Sequence, residues 1–143
     1  MRIEDPNFRA RVGAMFTDAP FVHGMGVRLT GVEPGICEAS LALTPDHLQH
    51  LGRVHGGVIS TLAGHAAAGA ATSLIAPDRY IVAAEFKLNL LRGAAEGTLR
   101  CRSEVLKPGA LLMVTETEVW GGRREGGKLV AKATHTFTVM AGR

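Results

Sequence analysis

Apolar positions change their period several times along the chain, and each change predicts an element. Over residues 5–18, Phe8, Val12, Met15 and Phe16 recur at i, i+4, i+7 and i+8, one face of a helix. Asp5 is placed to cap it, Pro6 suits a first helical position, and Ala19-Pro20 ends it. This N-terminal segment, 1–19, is expected to brace one edge of the domain. Residues 24–32 and 36–43 predict two strands joined by the turn Glu33-Pro34-Gly35, with Cys37, Ala39, Leu41 and Leu43 on one face. Thr44-Pro45-Asp46 breaks the alternation and opens a loop in which His47 and His50 are expected to be exposed.

A different pattern starts at His55-Gly56-Gly57. From Gly57 to about Ala76 there is no charged residue, and Val58, Leu62, Ala66 and Gly69 keep helical spacing. Gly64 and the run Ala66–Ala71 are all small, so this helix can lie flat against a sheet at short distance. Pro77-Asp78 ends it, and four strand-like runs follow at 80–91, 98–106, 111–120 and 128–140. In the second run Leu99, Cys101, Ser103 and Val105 alternate with Arg100, Arg102 and Glu104. In the third, Glu116 and Glu118 share a face. In the last, Leu129, Ala131, Ala133, His135, Phe137 and Val139 alternate with polar residues. In 80–91, Phe86, Leu88 and Leu90 form the apolar face and turn Glu85 and Lys87 the other way.

Strands apolar on one side need a cover. One long smooth helix wrapped by a curved antiparallel sheet of about six strands supplies it. The fold class is α+β, a single domain over residues 1–143.

Composition narrows the class. The chain is 46% hydrophobic and 20% charged, which suits a globular core rather than disorder. Net charge is +3, but no Lys/Arg run exceeds Arg123-Arg124, so a nucleic-acid face is not indicated and an anionic small molecule is the better partner. Arg123-Arg124 reads as part of a soluble glycine-rich loop, 121–127. Cys37 and Cys101 form no CxxC and read as buried hydrophobes of a reducing, cytoplasmic protein, not as nucleophiles. The first residues carry no signal-peptide pattern, and Val58–Ala76, rich in Ala, Gly, Ser and Thr with His65 in its middle, reads as a core helix and not a membrane span.

The chemistry gathers at the mouth of the long helix. A helix start offers unpaired N–H groups and positive dipole to a developing negative charge. Glycine lets a substrate approach the backbone closely. Gly56 and Gly57 open the helix at this point, and His55 is expected to cap or shape the loop.

The element order with His55-Gly56-Gly57 at the helix mouth resembles the hotdog-fold acyl-CoA thioesterases of the phenylacetate-pathway (PaaI-like) group. The landmarks are Gly52-x-x-His55-Gly56-Gly57, Leu62-Ala63, Glu85-Phe86-Lys87-Leu88-Asn89-Leu90-Leu91-Arg92, Val105–Gly109 and Lys128–Ala131. The resemblance implies hydrolysis of an acyl-CoA thioester with no metal and no cofactor beyond the coenzyme A of the substrate. It also implies homodimers, or tetramers made of two dimers, with sites across the interface. Carried onto this chain, the family's oxyanion donor is the backbone N–H of Gly56, and Gln49 stands where the family carries an Asn or Gln that orients the reacting groups. Asn89, Arg92 and the turn Lys107-Pro108-Gly109 stand where substrate and nucleotide contacts fall.

Two positions depart from the family. The catalytic carboxylate aligns with Gly64, and a water-positioning Ser or Thr aligns near Ala83. His65 adjoins the gap, and a neutral imidazole is a competent base near pH 7. Three functions remain open at this point: an acyl-CoA thioesterase with His65 as its best base, a weak or inactive hotdog protein that binds acyl-CoA, and a hydratase or dehydratase on the same fold.

Overall fold

The long helix is the axis of the computed structural model, which describes residues 1–121 and 127–142. This helix, α3, spans Gly56–Thr72 and follows α1 (Phe8–Thr17), α2 (Pro20–Met25) and strands β1 (Arg28–Glu33) and β2 (Ile36–Ala42). β3 (Arg79–Leu90), β4 (Thr98–Pro108), β5 (Leu112–Gly121) and β6 (Lys128–Ala141) complete the chain. All six strands form one antiparallel sheet in the order β1-β2-β4-β5-β6-β3. This is the expected one helix wrapped by one sheet.

The apolar face of each strand meets α3. Leu62, Ala63, Ala66, Ala67, Ala70 and Ala71 are fully buried against Cys37, Ala39 and Leu41 of β2, Leu99, Cys101 and Val105 of β4, Val119 of β5, and Ala131, Ala133 and Phe137 of β6. The approach is very close at Gly69, where a Cβ would stand 2.7 Å from the Cys37 sulfur and 3.3 Å from Val12. α1 lies on the other side with Phe8, Val12 and Phe16 buried, as its spacing predicts. Arg11 ties it down, donating to the carbonyls of Ala76 and Arg79. On the outer face of the sheet Lys132 reaches Glu116 at 2.5 Å and Glu118 at 3.7 Å.

Several boundaries differ from expectation. The run 24–32 is not one strand, because Pro20 opens α2 and Gly26, at φ +94°, closes it in the left-handed conformation. Those start and stop residues outweigh the apolar run, and β1 begins only at Arg28. α1 begins at Phe8 after Asn7, and Asp5 accepts the Asn7 N–H at 2.8 Å, so Asp5 shapes the preceding turn instead of capping the helix. α3 stops at Thr72 and not at Ala76. There the Ser73 hydroxyl donates to the Ala70 carbonyl at 2.7 Å and accepts from the Gly35 N–H at 2.8 Å. The Arg123-Arg124 loop lies outside the described residues.

β3 forms one end of the sheet. Tyr80, Val82, Phe86, Leu90 and the following Leu91 are each more than a third exposed, and a bulge breaks its pairing with β6 between Ala83 and Glu85. A long apolar edge strand of this kind is an unpaired template for another chain.

The Gly69 contact yields a stability prediction. Gly69→Ala is expected to cost about 1–3 kcal/mol by overpacking against Cys37, despite the roughly 1 kcal/mol gain in helix propensity. Urea unfolding checks it, and adding Cys37→Ala is expected to restore most of the loss.

Candidate active site

The loop before α3 is bound at both ends. His47 is 6% exposed, contrary to the expectation of an exposed loop residue. Its Nδ1 accepts the Thr44 N–H at 3.0 Å, so Nε2 carries the proton and donates to the Met25 carbonyl at 2.8 Å. A pattern of alternating residues could not show this, because both partners are backbone atoms. Beyond it, Gln49 N–H donates to the Arg53 carbonyl at 2.7 Å and His55 N–H to the His47 carbonyl at 2.9 Å. The Gln49 side chain also serves the loop: its Oε1 accepts from Leu51 N–H at 2.5 Å and Arg53 N–H at 3.3 Å. The carbonyl of Gln49 is thus committed, and only its NH₂ is left to orient a reactant.

This bracing delivers His55 as the N-cap of α3. Its Nδ1 accepts the Gly57 N–H at 2.8 Å, and its carbonyl accepts from Val58 at 2.9 Å and Ile59 at 3.3 Å. Three of the first helical donors are satisfied in this way. The Gly56 N–H has no acceptor among the described residues, as expected of a first-turn donor that nothing caps. A Cβ at Gly56 would stand 3.1 Å from Leu90 Cδ1, so glycine lets the end of β3 close over the helix start.

Further along α3, from Ser60 onward, an open apolar cavity of about 400 Å³ lies between α3 and β3. Ser60, Gly64, His65, Ala83, Phe86 and His135 line it, with Met15 and Phe21 on the rim. The structure therefore gathers Gly64, His65 and Ala83, three of the residues picked from sequence. His65 is not free to turn into the gap at Gly64. Its Nε2 donates to the Met15 carbonyl at 2.9 Å and its ring meets Phe16 edge-on at 4.6 Å. Burial holds its pKa below the ordinary value, opposed by the bond to Met15.

His135 is the residue that the sequence reading placed on the inward face of the last strand and left without a role. It is 4% exposed on β6 and stacks between Phe86 at 5.2 Å and Phe137 at 5.9 Å. Its Nε2 lies 3.3 Å from where a Cβ of Gly64 would be. Burial lowers its pKa as well. The available signal was chemical: His135 is the one ionisable side chain among the inward-facing positions of that strand.

Other expected contacts fall elsewhere. Asn89 shares an outer-face groove with Lys87, Glu116 and Lys132, on the side of the sheet away from α3. Glu85 also faces outward and accepts from the Thr136 hydroxyl at 3.3 Å. Pro108 and Gly109 line another cavity, about 540 Å³, beside Leu74 and Ile75 past the far end of α3. A 17-residue helix is ~25 Å long, so Lys107-Pro108-Gly109 cannot reach Gly56 of its own chain. Arg92 does sit at the Gly56 end, where its N–H donates to the Val130 carbonyl at 3.2 Å. Arg53, which sequence reading passed over, packs on Gly93 next to it. The buried thiols take no part, since desolvation pushes Cys37 up to about 12 and raises Cys101 too. Among the described residues no three His, Cys, Asp or Glu side chains are grouped as metal ligands, and no helix is long and apolar enough to cross a membrane.

The fold, one long helix wrapped by a six-stranded antiparallel sheet, is that of a known enzyme family. The thioesterase superfamily model matches residues 51–130, more than half of the chain. The chain belongs to the thioesterase superfamily and is a hydrolase of that kind. A 1,4-dihydroxy-2-naphthoyl-CoA hydrolase of Listeria monocytogenes serotype 1/2a (strain 10403S) is 30% identical over 95 residues, covering 66% of this chain and 77% of the relative. A thioesterase family protein of Silicibacter pomeroyi superposes with TM-score 0.89 at 28% identity, over 94% of this chain and 99% of its own. The E. coli PaaI protein shares the fold, with TM-score 0.85, 22% identity and 94% of each chain covered.

Both cavity histidines give a pH prediction. Their folded pKa values lie below the ordinary 6.5, so the unfolded chain binds more protons just below that pH. Stability is then full above 6.5 and falls as pH drops through 6.5 toward the folded values. Urea midpoints measured from pH 7.5 to 5 are expected to fall, and to fall less in His65→Gln.

Proposed function

We propose that the protein hydrolyses an acyl-CoA thioester, with the Gly56 N–H as oxyanion donor and no metal or covalent cofactor. The unpaired Gly56 N–H, held at the start of α3 about one turn before Ser60 of the apolar cavity, carries the reading. A preformed donor at a helix N-terminus stabilises the charge that develops on the carbonyl oxygen in the transition state and needs no reorganisation. Arg53 and Arg92 stand at the same end and suit the phosphates of coenzyme A. Phe86, stacked on His135 and 56% exposed, offers a ring face to an aromatic acyl group. The Listeria relative, named for an aryl-CoA, supports that preference.

The working unit is a homodimer joined through β3, with tetramers formed as pairs of such dimers. Two observations support it. β3 has an apolar free edge that a second β3 would continue. Gly56 and Gly64 are eight residues apart on one helix, ~12 Å along its axis, too far for both to act on one carbonyl within a chain. Antiparallel pairing would set the helix start of one protomer beside the Gly64 region of the other, and would bring the turn at Lys107 nearer that site. The buried, unpaired thiols fit a reducing compartment, the cytoplasm.

A second reading, a protein that binds acyl-CoA and turns it over weakly, is favoured by one observation: Gly64 offers no side chain to activate water.

Thiol release from a panel of aryl- and fatty-acyl-CoAs separates them. Turnover supports hydrolysis, and binding without turnover supports the second reading. Gly56→Pro removes the N–H where proline fits a first helical position, and His55, at φ −65° and ψ 136°, already has the backbone a following proline requires. Combined with Leu90→Ala to relieve crowding, it is expected to lower kcat about 10²–10³-fold relative to Gly56→Ala/Leu90→Ala, which keeps the donor. Equal rates in the two double variants would falsify the assignment of Gly56.

A further inference from the structure

Two histidines line the cavity between α3 and β3, and they are its only titratable groups among the described residues. His65 has one ring nitrogen spent on the Met15 carbonyl and its ring against Phe16, so it fastens α1 to α3. His135 is placed differently. Its Nδ1 is buried with no partner among the described residues, and so is the hydroxyl of Thr115. These two residues stand directly opposite each other in the β5–β6 register. A buried polar atom left unpaired costs about 1–3 kcal/mol, and here two such atoms belong to cross-strand partners. A proton on Nδ1, donated to a water shared with the Thr115 hydroxyl, leaves the lone pair on Nε2. Nε2 is the atom that faces Gly64 across 3.3 Å of Cβ position. The absence of a side chain at Gly64 is what opens the cavity to that lone pair.

We propose that His135 is the general base of the reaction, holding a water in the space at Gly64 and serving the thioester bound at Gly56 of the other protomer. The proposal rests on the thioesterase reading above. In the step, the water oxygen bonds to the carbonyl carbon and its proton passes to Nε2 of His135. The carbonyl π pair moves onto the oxygen that accepts from the Gly56 N–H. When that oxyanion collapses the C–S bond breaks, sulfur takes the electron pair, and the imidazolium returns the proton to it. The products are the carboxylic acid and the thiol, and the imidazole is neutral again.

The surroundings keep this imidazole neutral. Phe86 faces it from β3 and Thr115 from β5, and His65 is the only titratable group near it on α3. Glu85, Lys87, Glu116 and Lys132 lie on the outer face of the sheet. Burial without a carboxylate partner lowers the pKa from 6.5, so the base stays unprotonated through neutral pH and is lost on the acid side. The arrangement trades driving force for readiness: a weaker base than a paired histidine, but one that is fully in its active form.

The test is the pH profile of thiol release from an aryl-CoA that the wild type hydrolyses. The wild type is expected to lose kcat/KM along a limb centred below pH 6.5. His135→Gln is expected to lower kcat about 10²–10⁴-fold with little change in KM and to abolish the limb, whereas His65→Gln retains it. Gly64→Ala, a helix-favouring change, puts a methyl group against Nε2 and is expected to lower kcat on the order of 10²-fold, which keeps the idea testable if His135→Gln does not fold. Co-purified heterodimers of His135→Gln with Gly56→Pro/Leu90→Ala are expected to regain activity above both parents, since one of their two sites is complete. Wild-type rates with an unchanged limb in His135→Gln, or heterodimers no better than the parents, overturn the proposal and leave the thioesterase reading standing. A wild type inert on every acyl-CoA removes that reading instead.

Discussion

The distance between α3 and the sheet governs everything else in this molecule. A sheet can wrap a single helix only if the helix is thin, and α3 is thin because its buried face is alanine and glycine. At Gly69 the approach leaves no room for a methyl group beside Cys37. The small buried side chains contribute little apolar area each, at ~25 cal/mol per Å². The core compensates with continuous contact along the full helix, from Leu62 to Ala71. The same geometry sets the limits of coverage. One helix cannot cover six strands, so β3 lies at the margin with only Ile81 and Leu88 packed on the core. An incomplete core and an unpaired sheet edge are one consequence of a thin helix.

The start of α3 shows how a protein keeps a donor unsatisfied without losing the helix. His55 occupies Gly57, Val58 and Ile59 through its ring and its carbonyl, and Gly56 alone remains. His47 and Gln49 stiffen the approach by bonding to loop backbone, so the orphan N–H is held in direction as well as in supply. The effect depends on the loop's internal bonds. His47, Gln49 and His55 all act as backbone substitutes, taking positions that water or a longer secondary-structure element would otherwise fill. Reactive geometry here is a by-product of careful satisfaction everywhere else.

Much of this was legible in the residue pattern. Alternation in 98–106 and 131–139 gave the correct inward faces, and the small residues of 64–71 gave the close helix, but at the start of β6 a bulge in the pairing with β5 buries Val130 where alternation expected Leu129. Helical periodicity found α1 because Phe8, Val12 and Phe16 point one way. It missed α2, whose six residues are too few to show a period and are marked only by Pro20 and Gly26. The site was partly legible. Gly56 and His55 follow from local helix-start chemistry, which is a property of neighbours in sequence. His47 and His135 were not, because their partners are the Met25 carbonyl and residues of β3 and α3, brought close only by the fold. Gln49 shows the opposite case: a residue chosen by resemblance has its carbonyl committed to its own loop.

Gly64 joins these two kinds of information. Read along the chain it is one more small residue in a helix built for close packing, and by comparison with similar enzymes it is a missing carboxylate. In three dimensions its empty position is bounded by an imidazole nitrogen. A helix that carried a carboxylate there would drive its first methylene against His135, and would place a negative charge beside a ring that burial keeps neutral. Such a pair would raise the histidine pKa and convert a free base into half of an ion pair. Glycine at 64 and histidine at 135 are therefore linked by both volume and charge. The two residues are 71 positions apart, on elements whose patterns give no hint of each other. A position that looks empty along one helix is filled, across the core, by a group from a strand.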